Sequence, residues 1–293
     1  MTIAVCYISP EGVVLGADST STGFTPQPHY FNYSQKIFEV GEPRKGRLGI
    51  LTWGLGGTGF ISHRTLAARL ADKVAAAGDP KVIDAANLWS DLYWQEYSAA
   101  LAPQIARAAA LNAKGGARTP VESIELANLG QQYSVGFCIG GYSVTDNRVP
   151  FAYQILFDPR AAKPAPVPLP LNVPLYWGVP NMMRRLLMGV DPDLLGELLS
   201  SGKWPGPEVQ QLLQIVQKYS LSSLILPIRD AIDFVHASIY STIKALKFSQ
   251  FPQTCGGPIE IAVITSDRPF RWVRHKRFDA AITEQEGEAW PTW

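Results

Sequence analysis

The chain has 293 residues, 46% of them hydrophobic and 17% charged, which suits one large α/β domain with ample core material. That composition excludes intrinsic disorder, and a formal net charge of +1 gives neither nucleic acid nor an anionic membrane surface a reason to bind. The basic group Arg271, Arg274, Lys276 and Arg277 reads as a solvated strand end. The apolar runs fall well short of the ~20 residues a membrane span needs. The start Met1-Thr2-Ile3-Ala4 lacks the basic region of a signal peptide. Cys6, Cys138 and Cys255 are widely spaced among apolar or glycine residues and read as reduced, buried thiols, so a cytoplasmic setting is expected.

In chain order, Thr2–Ile8 and Val13–Ala17 read as two strands around the turn residues Ser9-Pro10-Glu11-Gly12. Residues 20–34, with Gly23, Pro26 and Pro28, read as an ordered loop. Lys36–Val40 and Leu48–Trp53 form a second strand pair, so four strands precede the first helix. That helix runs from about Ser62 to Ala77, with Leu66, Leu70 and Val74 on one face. A second helical pattern extends from Val82 to about Ala113, with Pro103 able to kink or divide it. Strands resume at Tyr133–Tyr142 and Phe151–Phe157. The proline-rich stretch from Lys163 to Pro174 reads as an extended loop, and Leu175–Gly178 as a short strand. Helical patterns follow over roughly 181–189, 192–200, 207–219 and 227–248. Pro258–Ser266 and Phe270–His275 close the domain as a strand pair. Helices do not alternate singly with strands, which speaks against a wound parallel sheet and for antiparallel sheets stacked with helices outside.

Thr2 is the first residue of chemical interest. A small side chain at position 2 permits removal of Met1, which leaves a free amine on the residue that carries the hydroxyl. That amine, with an ordinary pKa of about 8, can act as general base for its own Oγ. A Met-Thr start alone is weak evidence, since many proteins begin that way. The hairpin formed by the first two strands, however, returns Asp18 to the neighbourhood of Thr2. Lys36 opens the third strand. A hydroxyl, an amine, a carboxylate and an ammonium make a coherent proton-transfer set, in which Lys36 lowers the pKa of its neighbours and Asp18 holds the lysine. Singly, Asp18 reads as a strand-end residue and Lys36 as a surface charge.

The run Gly12-Val13-Val14-Leu15-Gly16-Ala17-Asp18-Ser19, followed by Lys36-Ile37-Phe38, resembles the proteasome β-subunit family and its bacterial relatives, the ancestral-β-subunit type and the bacterial proteasome homologues. The resemblance spans most of residues 2–266. It implies Thr2 as nucleophile, Asp18 as its orienting acid and Lys36 as the pKa-lowering partner, with the lysine two positions late. Trp53-Gly54-Leu55-Gly56-Gly57-Thr58-Gly59 is similar to the family's Gly-x-Gly segment, which implies that Gly56 gives its N–H to the oxyanion. A phosphate-cradling loop is the rival reading of that stretch, but no Gly-Lys-Ser/Thr ending follows. Gly140-Gly141-Tyr142 with Tyr153-Gln154-Ile155 resembles the family's central hairpin, and Gly256–Ile264 its closing strand. The resemblance implies an α+β fold: a four-layer αββα sandwich of two mainly antiparallel sheets, the N-terminal-nucleophile hydrolase fold. One domain is expected over residues 1–278, with a helical insertion at about 180–225 and a peripheral tail over 279–293.

The sequence also departs from that pattern. The family's Gly-Ser-Gly appears as Gly178-Val179-Pro180, and its Asp and Ser near the last helix fall at about Pro252 and Cys255. Ser19, Asn181 and Thr254 are the polar residues nearest in sequence that could substitute. His29, His63, His236 and His275 show no metal-ligand spacing, and His63 reads as a helix-surface residue; no cofactor or metal is expected. The implied function is a threonine-type peptidase that cleaves amide bonds through an acyl-enzyme on Thr2. It would self-assemble as a homo-oligomer, a ring or a helical assembly, act on peptides or unfolded protein, and rely on a separate ATPase for any unfolding. The alternatives are a catalytically silent structural subunit of such an assembly and a small-molecule amidase of the same fold.

Overall fold

The computed structural model describes residues 2–24, 28–59, 61–204, 206–220, 225–250 and 253–276. The expected C-terminal tail, Met1, Pro252 and Arg277 lie outside the described residues. In chain order the strands and helices are β1 (Ile3–Ser9), β2 (Gly12–Ala17), β3 (Ser21–Phe24), β4 (Pro28–Phe31), β5 (Ile37–Val40), β6 (Leu48–Gly54), α1 (His63–Ala76), α2 (Val82–Ala100), α3 (Ala102–Ala113), α4 (Pro120–Tyr133), β7 (Val135–Gly141), β8 (Phe151–Phe157), β9 (Val167–Pro168), β10 (Leu175–Gly178), α5 (Asn181–Met188), α6 (Pro192–Ser200), α7 (Gly206–Gln217), α8 (Ile228–Lys247), β11 (Glu260–Thr265) and β12 (Arg268–Arg274).

Two five-stranded sheets, ordered β10-β1-β2-β11-β12 and β5-β6-β7-β8-β9, carry the architecture, and every pairing in them is antiparallel. Strand β1 shows why its sequence is a continuous apolar run: all seven residues are buried, because both faces are covered. Ala4, Cys6 and Ile8 pack with Leu51, Trp53 and Cys138 of the other sheet. Ile3, Val5 and Tyr7 point the opposite way and pack with Val235 and Ile239 of α8. Gly16 on β2 lets that helix approach, since a Cβ there would stand 2.4 Å from Val235 Cγ1. The outer face of the second sheet packs against α1 and α2 through an aromatic cluster of Trp89, Tyr93, Tyr97, Phe137 and Phe157. Trp53 of β6 and Trp177 of β10 stack between the sheets with ring centroids 4.2 Å apart.

Several expectations need correction. Residues 20–34 are not a loop throughout, since β3 and β4 pair as a separate two-stranded hairpin and bring the strands before α1 to six. The long helix over 82–113 is two helices, α2 and α3, divided at Leu101 with Pro103 in the first turn of the second. A further helix, α4, follows; Thr119 and Glu122 close a reciprocal capping box at its start and Pro120 enters the first turn. The proline-rich stretch contributes β9 to the edge of the second sheet.

Candidate active site

The site is assembled by register. Ala4 faces Ala17 across the β1–β2 hairpin, so the chain leaving β2 meets the chain entering β1. The Asp18 amide donates to the Ile3 carbonyl at 3.2 Å, and the Ile3 amide donates to Asp18 Oδ1 at 3.1 Å. Asp18 thereby bonds the residue that follows Thr2. On the other side of β1, Ile3 pairs with Gly178 and the Val179 amide donates to the Thr2 carbonyl at 2.9 Å. Thr2 is thus wedged by its backbone between β2 and the end of β10.

Lys36 arrives from the second sheet. Its carbonyl accepts the Thr52 amide at 2.9 Å, which fixes the start of β5 against β6. Its ammonium donates to Asp18 Oδ1 at 2.5 Å and to the Thr20 carbonyl at 2.6 Å. Asp18 Oδ2 accepts from the amides of Thr20 at 3.2 Å and Gly256 at 2.9 Å. The carboxylate therefore receives four donors while fully buried, which is what a buried charge requires. Thr2 and Lys36 are buried too. Burial drives the Lys36 pKa below the ordinary lysine value, with Asp18 opposing that shift and the nearby Lys276 reinforcing it.

Gly56 lies on the segment that follows β6. That strand ends at Gly54, whose φ of +87° and 2.4 Å Cβ clearance to the Ser134 carbonyl oxygen admit only glycine. A Cβ on Gly56 would stand 3.8 Å from Ser21 Oγ, and Ser21 follows the Thr20 carbonyl that binds Lys36. Ser21 and Ser34 also line an open depression of about 620 Å³ with Tyr30, Phe31, Asn32 and Tyr33 of the β4 region.

Cys255 is buried beside the cluster, and burial pushes its thiol up to about 12, with Asp18 adding to the shift. The thiol is therefore protonated and unreactive at neutral pH. Thr254 and Ser19 are buried nearby in sequence, whereas Asn181 is exposed on α5 and donates to Asp193. His63 is not a helix-surface residue. It is buried, its Nε2 lies 3.2 Å from the Tyr93 hydroxyl, and its ring meets Phe137 edge-on. Lys276 is not a solvated strand end either: its ammonium lies 2.9 Å from Glu260 Oε2 and 3.0 Å from the Ser34 carbonyl. Neither Glu260 nor the role of Lys276 is among the residues expected from the sequence to serve the site. The available signal was a lone carboxylate in the apolar strand Pro258-Ile259-Glu260-Ile261-Ala262-Val263. No group of three or more His, Cys, Asp or Glu among the described residues is placed to hold a metal ion.

Two antiparallel sheets packed face to face, with helices on their outer faces, make up the fold. Solved structures of the Anbu proteins share it. One is the helical assembly of the Anbu complex from Pseudomonas aeruginosa, 16% identical over 97% of this chain and 92% of that one, with a TM-score of 0.51. Another is the Gly-1 mutant of Anbu from Hyphomicrobium sp. strain MC1, 13% identical over 100% and 99% of the two chains, with a TM-score of 0.52. No protein-family model matches the sequence, and no curated protein matches it.

Proposed function

We propose that the protein is a threonine-type N-terminal-nucleophile hydrolase that cleaves amide bonds of peptides, built as a four-layer αββα sandwich over residues 1–278 with α5–α7 as a helical insertion. The observation that carries this reading is the Asp18 carboxylate, which binds the Ile3 amide next to Thr2 with the same oxygen that binds the Lys36 ammonium. With residue 1 removed, the Thr2 amine takes the Oγ proton as Oγ attacks the substrate carbonyl carbon. The Gly56 N–H receives the developing oxyanion, and Lys36 stabilises the negative charge on Oγ. Collapse of the tetrahedral species expels the amine, which takes the proton from the Thr2 nitrogen. Water then hydrolyses the ester and frees Thr2. Thr2→Ala should abolish hydrolysis of a fluorogenic peptide panel while the circular dichroism spectrum and melting temperature stay unchanged; hydrolysis at the wild-type rate would overturn the assignment. The same panel, extended to small amides, separates a peptidase from a small-molecule amidase.

Val179 and the protonated Cys255, where the family has serine hydroxyls, and Pro252, at about the position of its carboxylate, favour a second reading as a catalytically silent structural subunit. Intact mass distinguishes the two, because the enzyme requires loss of Met1 and the silent subunit does not. In either role we infer a homo-oligomer. Leu194 and Leu199 on α6 and Ile215 on α7 are about half exposed, and Tyr219 beyond α7 is three-quarters exposed, an apolar display that a monomer rarely carries. Sedimentation velocity should show species larger than the monomer at micromolar concentration, and a monomer alone at every concentration would end this inference. No helix among the described residues is long and apolar enough to cross a membrane.

A further inference from the structure

We propose, resting on the hydrolase reading above, that Lys276 is a positioning residue for the Asp18–Lys36 pair, tying their two loops to β11 and setting a second fixed positive charge beside Lys36. Its ammonium reaches three groups: Glu260 Oε2 at 2.9 Å, the Ser34 carbonyl at 3.0 Å and Ser19 Oγ at 3.5 Å. Ser19 follows Asp18 and Ser34 precedes Lys36 by two residues. The Ser34 amide also donates to the Ser19 carbonyl at 3.0 Å, so Lys276 closes a ring over the junction of the two loops. The Ser19 amide in turn donates to the Gly256 carbonyl, whose own amide holds Asp18 Oδ2.

Glu260 is what anchors the lysine. It lies opposite Ala17 in the β2–β11 register and is fully buried, so its carboxylate must be neutralised where it stands. The Lys276 ammonium does this at Oε2, and the His275 ring lies alongside, with Nδ1 2.7 Å from Oε1. The Lys276 side chain is only 12% exposed, so water screens its charge poorly. The charged or titratable groups acting on Lys36 are therefore Asp18 from the end of β2, Cys255 from the segment before β11, and Lys276 from beyond β12. Asp18 favours the ammonium form of Lys36, and Lys276 disfavours it. Burial is the larger influence against the ammonium, and Lys276 adds to it.

A purely structural clamp would not have this electrical consequence, and that difference is measurable. Lysine side-chain 13C/15N titration, with the Lys36 signal assigned through Lys36→Arg, reads the midpoint without requiring activity. In Lys276→Met the Lys36 midpoint should rise by about half a unit or more, in the direction expected when a nearby like charge is removed. In Lys276→Arg, which keeps the charge, it should stay near the wild-type value. Lys276→Gln, which keeps a donor for Glu260, serves if the methionine variant does not fold, and predicts the same rise. In the active protein, where the Lys36 ammonium stabilises the charge on Oγ, the alkaline limb of the kcat/KM profile should move to higher pH in step. A Lys36 midpoint unchanged in a folded, charge-removed variant overturns the proposal. A shifted midpoint in a protein that shows no Thr2-dependent hydrolysis leaves this pairing standing and refutes the hydrolase reading instead.

Discussion

Gly178 decides whether Thr2 can occupy its place. Its φ is +89°, and a Cβ there would stand 1.7 Å from the Thr2 carbonyl oxygen and 2.6 Å from its carbonyl carbon. Both the backbone conformation and the space exclude any side chain. Gly178→Ala should cost about 2–3 kcal/mol through strain and displaced backbone, read as a lower urea midpoint. It should also reduce kcat/KM about a hundred-fold, because the displaced residue is the nucleophile itself. Full activity in the alanine variant would show that Thr2 does not depend on this seat. In the sequence, Gly178-Val179-Pro180 stands out only as a place where a serine is missing. The steric role is invisible there, since nothing local says that residues 175–178 pair with residues 3–6. Asp18 was legible for the opposite reason: a short hairpin fixes by counting where its far end returns. Glu260 and Lys276 lie across a hairpin whose register slips between Ile261 and Ala262 and again between Val263 and Thr265, so counting fails to pair them.

Helix α1 carries a titrating group in its buried face. His63, Leu66, Ala67, Leu70 and Val74 are all buried, at the spacing of a single helical stripe. That spacing is present in the sequence, since His63 falls three residues before Leu66 on the same stripe. Burial lowers the His63 pKa to about 4, against an ordinary value of 6.5. As pH falls below 6.5, the unfolded chain binds the proton while the folded one does not. The stability contributed by the neutral ring is therefore complete above pH 6.5 and lost progressively down to about pH 4, amounting to about 3 kcal/mol. Urea titrations at pH 7 and pH 4.5 should show His63→Gln losing about 2–3 kcal/mol less than wild type between them. An identical loss in both proteins would mean that the ring is hydrated in the native state. Other elements were legible in proportion to what they bury. Strands β1, β2 and β7 are covered on both faces and announce themselves as apolar runs. Helix α4 buries only Leu126 and Gly130 and leaves Val121 and Ile124 exposed, so its periodicity is faint although the capping box at Thr119 and Glu122 is plain.

The two sheets meet through an apolar layer that places the thiols where solvent cannot reach them. Cys6 of β1 and Cys138 of β7 lie within that layer, one from each sheet, and Cys255 lies on the segment between α8 and β11. All three are fully buried. Burial and the neighbouring Cys6 raise the Cys138 pKa well above the ordinary thiol value. Reaction with a disulfide reagent therefore needs an opening of the structure, and its rate reports the free energy of that opening. The native protein should react slowly, and three equivalents should react at once in denaturant. The openings should differ in size: exposing Cys6 or Cys138 requires the sheets to part, so these two should track global unfolding. Cys255 needs only its own segment to lift from Asp18 and the α8 side, so mass mapping should find it modified first. Modification of Cys255 ahead of the other two should also break the Gly256–Asp18 bond and abolish Thr2-dependent turnover before any loss of helical circular dichroism. Rapid native reaction of Cys6 and Cys138 would contradict the face-to-face packing of the sheets, because no thiol in a dry, close-packed layer is open to a bulky reagent.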